Sequence, residues 1–301
     1  MSCSRRSKST AVAKDVSVSP AHNCAIVNSA TGRAVIKQRI ITALIALPLL
    51  ILCIRYSSQG VFAGLLFVVS AFALREFYRM ALPKQRRLEN SLAVAAGILC
   101  SAGVVYAPSA AFLLMSMVLP CFALALVYLF HFQDMQTVIR DLAISLLGLL
   151  YIPLLLSHAA LLRVLPAGRD WIFLVLLVVM ASDTLAYFVG RQWGRHRLYE
   201  AVSPKKTIEG SLAGLCGGVL GAAISKLWFF AELSSVDVLL IGIGVGAFSQ
   251  LGDLFESLLK RSFGVKDSGD LVPGHGGLLD RLDSLLFAFP VTYYYAMWVF
   301  A

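Results

Sequence analysis

Apolar residues fall in long runs separated by short polar breaks, at about 36–54, 61–74, 91–106, 109–130, 142–162, 171–190, 211–230, 236–252 and 284–300. A helix that crosses a hydrocarbon core needs about 20 apolar residues, or roughly 17 at the short end. The pattern therefore predicts an all-α fold, a polytopic membrane helical bundle of about nine transmembrane helices. The run at 61–74 is short and must borrow from its flanks. The run at 236–252 reads straight into SQLGDLFESLLKR and predicts a helix that projects beyond the bilayer. Gly210, Gly214 and Gly218 recur every fourth residue, as do Gly242 and Gly246. In a membrane this spacing lets helix backbones approach closely. GIGVG at 242–246 follows no predicted strand, so it reads as packing and not as a dinucleotide loop. Three regions result: a basic tail 1–33, helices over 34–170, and a C-terminal region 171–301 that holds the polar motifs.

Composition agrees with this class. The chain is 58% hydrophobic and only 14% charged, with mean hydropathy +0.79, whereas a soluble domain is about half apolar and a quarter charged. Net charge is +9, which alone would suggest nucleic acid. With nine spans and a cytoplasmic N-terminus, 22 of the 26 Lys and Arg fall inside; only Arg55, Arg163, Arg169 and Lys226 fall outside. That bias is the positive-inside pattern. It puts the C-terminus outside and assigns the cations to anionic headgroups and phosphates, with no nucleic acid. The six cysteines form no CxxC pair or zinc spacing and read as small packing residues. The tail has no apolar core before residue 34, which argues against a secretory signal; a disordered cytoplasmic tail is expected, with an organellar transit peptide as the alternative.

Polar residues concentrate in two inside breaks, WGRHRLYEAVSPKKTIEG within 191–210 and DLFESLLKRSFGVKDSGDLVPGHGGLLDRLD at 253–283. Asp253, Ser257 and Lys260 share one helix face at spacings of four and three. A carboxylate and an amine so placed can hold a metal and a phosphate side by side. Asp280 and Asp283 precede the last run, either as metal ligands or as acids favouring a helix N-terminus. PGHGG at 273–277 is a turn able to set backbone N–H groups against an anion, and His275 within it is placed to donate to a phosphate or transfer a proton.

Ser203 and Pro204 predict a helix start, with Ser as N-cap and Pro in the first turn. Lys205 and Lys206 would then sit at a helix N-terminus suited to phosphate, or form an ordinary surface pair. Asp183 lies inside the run 171–190; facing lipid would cost about 3 kcal/mol or more, so it is expected to line a polar cavity. Glu76, in REFYRM, reads as a helix-end acid paired with Arg75 or Arg79. Asp253, Asp267, Asp280 and Asp283 suit a hard cation such as Mg2+. Lys205, Lys206, Lys260, Arg261, Lys266 and Arg281 suit several phosphates. No serine elbow, HExxH or Walker A sequence is present. Metal-assisted phosphoryl or nucleotidyl transfer at a membrane surface fits this inventory best.

From Ser257 to Asp283 the series S, KR, KD, HGG, DR and D resembles the signature of the phosphatidate cytidylyltransferase (CDP-diacylglycerol synthase) family. SDTLAYFVGRQWGRH at 182–196 and SPKKTIEG at 203–210 are similar to it too, in the expected order, while Val272 stands where the family has a larger aliphatic or Phe. The resemblance covers roughly residues 180–284. It implies an enzyme that joins CTP to phosphatidic acid, giving CDP-diacylglycerol and pyrophosphate in phospholipid biosynthesis, with Mg2+ and K+ as candidate ions. It implies Asp253 and Asp280 as principal metal ligands, with Asp283 and Asp267 behind them. Lys205, Lys206, Lys260, Arg261 and Lys266, beside Ser203, would bind triphosphate or lipid phosphate; His275 and Arg281 would orient phosphates, and Asp183 would line the site. The catalytic set would be Asp253, Lys260, Asp280 and His275. The site would face the cytoplasm from a bacterial inner membrane, with a homodimer as a candidate assembly. Two other readings stay open: a CTP-dependent enzyme acting on an isoprenoid lipid, and an ion or anion transporter. The transporter would scatter ionisable residues through the midplane, whereas the acids here crowd one surface loop.

Overall fold

A computed structural model describes residues 44–83, 86–131, 134–271 and 276–300. The tail 1–33, with Cys3 and Cys24, and the segment 272–275, with His275, lie outside the described residues. The described helices are α1 (Leu44–Tyr56), α2 (Gln59–Ala81), α3 (Arg87–Tyr106), α4 (Ala110–His131), α5 (Val138–Val164), α6 (Gly168–Trp193), α7 (Ile208–Trp228), α8 (Ser235–Ser262) and α9 (Leu279–Val299). A two-stranded antiparallel hairpin, β1 (Arg197–Tyr199) and β2 (Ser203–Thr207), joins α6 to α7. The architecture is an all-α polytopic membrane bundle with this one small β insert.

Among the described residues, α2 to α8 are the seven helices long and apolar enough to cross a membrane. As described, α1 is shorter. α9 carries Asp280 and Asp283 at its head and Tyr293, Tyr294 and Tyr295 near its end, so it is less apolar than its length suggests. The short run at 61–74 does gain length from its flanks: Ser58 caps α2 by accepting from the Val61 N–H, and the helix continues through REFYRM to Ala81. α8 runs for 28 residues, past its apolar stretch. Pro153 interrupts α5 with a π turn over Leu150–Leu154, as expected where a residue lacks an N–H to donate. The Pro153 carbonyl accepts from the Ser157 and Ser101 hydroxyls at 2.6 and 3.3 Å.

Two sets of contacts mark the two ends of the bundle. At one end, Arg163 of α5 donates to the Ser57 carbonyl between α1 and α2 at 3.1 Å, and Trp171 packs edge-on against Phe230 and Phe300. At the other, Glu76 of α2 accepts from the Leu279 N–H at the start of α9 at 2.9 Å, and Arg86 pairs with the buried Asp141 at 2.8 Å. Helices α6 to α9 pack in sequence, each against the next. The Gly218 and Gly242 positions lie where α7 meets α8: a Cβ on Gly218 would collide with the Gly242 carbonyl oxygen. The fourfold glycine spacing thus serves backbone approach.

Candidate active site

The polar segments meet at the end of the bundle where α6 closes, α7 opens, α8 ends and α9 begins. The hairpin is built locally. Thr207 caps α7 by accepting from the Gly210 N–H at 3.1 Å. Glu209 accepts from the N–H groups of Arg195 and His196 and pairs with His196 Nδ1 at 2.6 Å. Arg261 Nε, at the end of α8, donates to the Val202 carbonyl at 3.5 Å and draws the hairpin onto that helix.

The expected helix start at Ser203 and Pro204 is corrected here. Both lie in β2, and the N-cap is Thr207. The Ser203–Thr207 backbone pairs with β1, and Pro204 is tolerated in such a two-stranded edge. The correction separates the two lysines. Neighbouring strand residues point to opposite faces: Lys206 turns inward and meets Asp253 Oδ2 at 2.7 Å, while Lys205 is exposed.

Asp253 sits on α8, with the Ser257 hydroxyl 3.5 Å from Oδ1. Lys260 does not complete that face. It bridges Glu256 at 3.0 Å and Asp280 at 2.6 Å. The other Asp280 oxygen accepts from the Ser268 and Gly277 N–H groups, both at 3.0 Å. Gly277, in the described end of the Gly-rich segment, thus gives its N–H to a side chain of α9. Asp283 comes beside Asp253 because α8 and α9 touch at Gly252, where a Cβ would collide with the Asp283 carbonyl oxygen. Asp283 and Asp253 lie within electrostatic reach of each other. Asp183, exposed on α6, lies within electrostatic reach of Asp253 and Lys206.

Asp253, Lys206, Lys260, Asp280, Asp283 and Asp183 are therefore brought together. Arg261 anchors the hairpin. Lys266 and Asp267 are exposed on the loop after α8, and Arg281 is exposed on the first turn of α9.

Three further residues belong to this constellation: Glu256 and Tyr151, which were not singled out in the sequence, and Glu76, which was read there as a local ion-pair partner. Glu256 is fully buried and has an oxygen with no hydrogen-bond partner; its place four residues before Lys260 is the signal that could have found it. Tyr151, from the π turn of α5, packs edge-on against Phe255 at 5.2 Å and aims a buried, unpartnered hydroxyl toward Glu256, Asp283 and Asp253. Glu76 is the third. It does not pair with Arg75 or Arg79 but turns into the core, where it takes the Leu279 N–H and the Ser268 hydroxyl.

Among the described residues, no three Asp, Glu, His or Cys side chains converge as a metal cage. Two facing carboxylates, Asp253 and Asp283, still fit Mg2+, which is typically held by one or two carboxylates and completed by substrate phosphates.

The comparisons with known proteins fall on this same region and beyond it. A family model described as the cytidylyltransferase family matches residues 37–299. A phosphatidate cytidylyltransferase of Synechocystis sp. is 36% identical over 297 residues, covering 86% of this chain and 96% of that protein. Those of Bacillus subtilis and Staphylococcus epidermidis are 43% and 44% identical over 127 and 124 residues; these alignments cover 42% and 41% of this chain and 47% and 48% of theirs. With the match running from the first helix through the last, the chain belongs to the cytidylyltransferase family.

Proposed function

We propose that this protein transfers the cytidylyl group of CTP to phosphatidic acid, giving CDP-diacylglycerol and pyrophosphate. One observation carries the reading: carboxylates and ammonium groups from β2, α8 and α9 gather at one end of an apolar bundle, in the pairs Lys206–Asp253 and Lys260–Asp280. A lipid can bring its phosphate there with its tails in the bilayer, and a nucleotide can arrive from water. The names of the relatives support the same substrates.

A phosphate oxygen of the lipid attacks the α-phosphorus of CTP. The bond from that phosphorus to the bridging oxygen breaks, and pyrophosphate leaves with the electron pair. The nucleophile is already an anion at neutral pH, so no strong general base is needed. What the protein must do is bring two anions together and offset their charge. Lys206, on an edge strand, and Lys260, held between two acids, supply cations on either side. Asp280 fixes the loop and Lys260. Asp253 and Asp283 would hold Mg2+, which when bound draws charge from the departing pyrophosphate. The site faces the cytoplasm, where CTP is found, as the Lys and Arg asymmetry supports; the bacterial relatives support an inner-membrane location.

The test is purified protein in detergent with radiolabelled CTP, phosphatidic acid and Mg2+. The expected result is labelled CDP-lipid and pyrophosphate, both requiring the lipid. Absence of lipid-dependent turnover, with anion flux in liposomes instead, would refute the proposal.

A further inference from the structure

Outside the catalytic cluster, a cavity of about 660 Å³ opens between the end of α2 and the start of α3. Arg75 and Arg79 of α2 and Arg87 of α3 line it, with Leu82 and Val94 as apolar walls. Among the described residues, none of the three arginines makes an ion pair and no carboxylate lines the cavity. The nearest acids in sequence are engaged elsewhere: Glu76 with the Leu279 N–H and Glu89 with Arg86. Asn90 also lines the cavity, and its amide oxygen is buried without a hydrogen-bond partner. Its side chain can turn an NH2 donor to an incoming acceptor. Three guanidinium groups around one cavity are suited to phosphate oxygens, which they bind in a planar, two-pronged way.

The surface below the arginines says what carries that phosphate. Leu65, Val68 and Phe72 of α2 are exposed, and with Arg75 and Arg79 they recur at helical spacing along one face. A polar mouth continues into an apolar stripe on a helix that crosses the membrane. A site for phosphate in water needs no such stripe, whereas a phospholipid has both parts. The site is also separate from the catalytic one: Glu76 is buried and turned to the start of α9, whereas Arg75 and Arg79 are exposed and line the α2–α3 cavity.

We propose that this α2–α3 cavity binds the phosphate headgroup of an anionic phospholipid, as a second lipid site in the leaflet that the catalytic end of the bundle faces. The proposal rests on the helical architecture and not on the activity assigned above.

The experiment uses the full chain in detergent and follows its thermal unfolding midpoint during titration with phosphatidylglycerol. Parallel titrations use phosphatidylcholine and inorganic phosphate. Phosphatidylglycerol is expected to raise the midpoint saturably, and the two controls are not. Asp253→Asn should keep that response. The triple variant Arg75→Gln, Arg79→Gln, Arg87→Gln should need on the order of a hundredfold more lipid, since each arginine near an anionic lipid contributes roughly fivefold. If the triple variant does not fold, the single Arg79→Gln change serves, with a shift of roughly fivefold expected. An unchanged titration in these variants overturns the proposal. So does an equal response to phosphatidylcholine or inorganic phosphate, or loss of the response in Asp253→Asn, which would place the lipid in the catalytic cluster.

Discussion

The contact that brings Asp283 beside Asp253 runs through one glycine, so Gly252→Ala should damage the site without touching a charged residue. Two effects oppose each other. Alanine is the better helix former, by about 1 kcal/mol in a helix interior. The added methyl group, however, would collide with the Asp283 carbonyl oxygen and stand 3.2 Å from the Phe287 ring. The ring can yield by rotation; a backbone carbonyl cannot, so α9 must move off α8. Overpacking of this kind costs about 1–3 kcal/mol, which outweighs the propensity gain and leaves a net loss of about 1 kcal/mol. The larger effect is geometric. Separating the two carboxylates by even about 1 Å can lower turnover on the order of a hundredfold.

Gly244→Ala is the internal control. It lies on the same helix, and a Cβ there meets nothing within 4 Å, so it should be neutral or slightly stabilising. The readouts are thermal unfolding in detergent and lipid-dependent pyrophosphate release for both variants. If Gly252→Ala matches Gly244→Ala in both, the α8–α9 contact does not set the site.

Three other changes separate the roles assigned to the cluster. Lys206→Ala should lower kcat/KM for CTP by about 10²-fold, the scale of a lost electrostatic contact in an active site, while Lys205→Ala, on the outer face of the strand, should have a far smaller effect; equal losses would refute the inward and outward assignment. Lys260→Met leaves the buried Glu256 facing Asp280 without the cation that bridges them, and should destabilise by about 3–5 kcal/mol, seen as a lowered unfolding midpoint; a stable variant would mean that Lys260 does not hold the two acids together. Chelation should abolish turnover and added Mg2+ restore it, with Asp283→Asn shifting the Mg2+ requirement upward; an unshifted requirement would remove Asp283 from the ion.

The helices and the polar loops between them were legible because both signals are local. A run of apolar residues predicts a span whatever it packs against, and the Lys and Arg bias reports which ends share a side. Glycines at fourfold spacing also announce close packing without naming the partner. What could not be read depends on pairing between distant elements. Ser203 and Pro204 look like a helix start until β1, only three residues long, is seen to pair with them. Glu76 has two arginines within reach along its own helix, so a local pair was the natural reading. Its real partner, the Leu279 N–H, is 203 residues away. Tyr151 joins the cluster only because α5 widens at Pro153 and turns that ring toward Phe255 and Phe287. These four residues share a property: each links the N-terminal helices to the catalytic segments, or moves a catalytic segment against its neighbour. The signature motifs lie within residues 180–284, yet Asp280 stands at a helix start that Glu76 holds, and the buried Glu256 lies within electrostatic reach of Tyr151 from α5. The first half of the chain therefore acts as the wall against which the acids are set, and substitutions there should alter turnover without changing any residue that meets CTP.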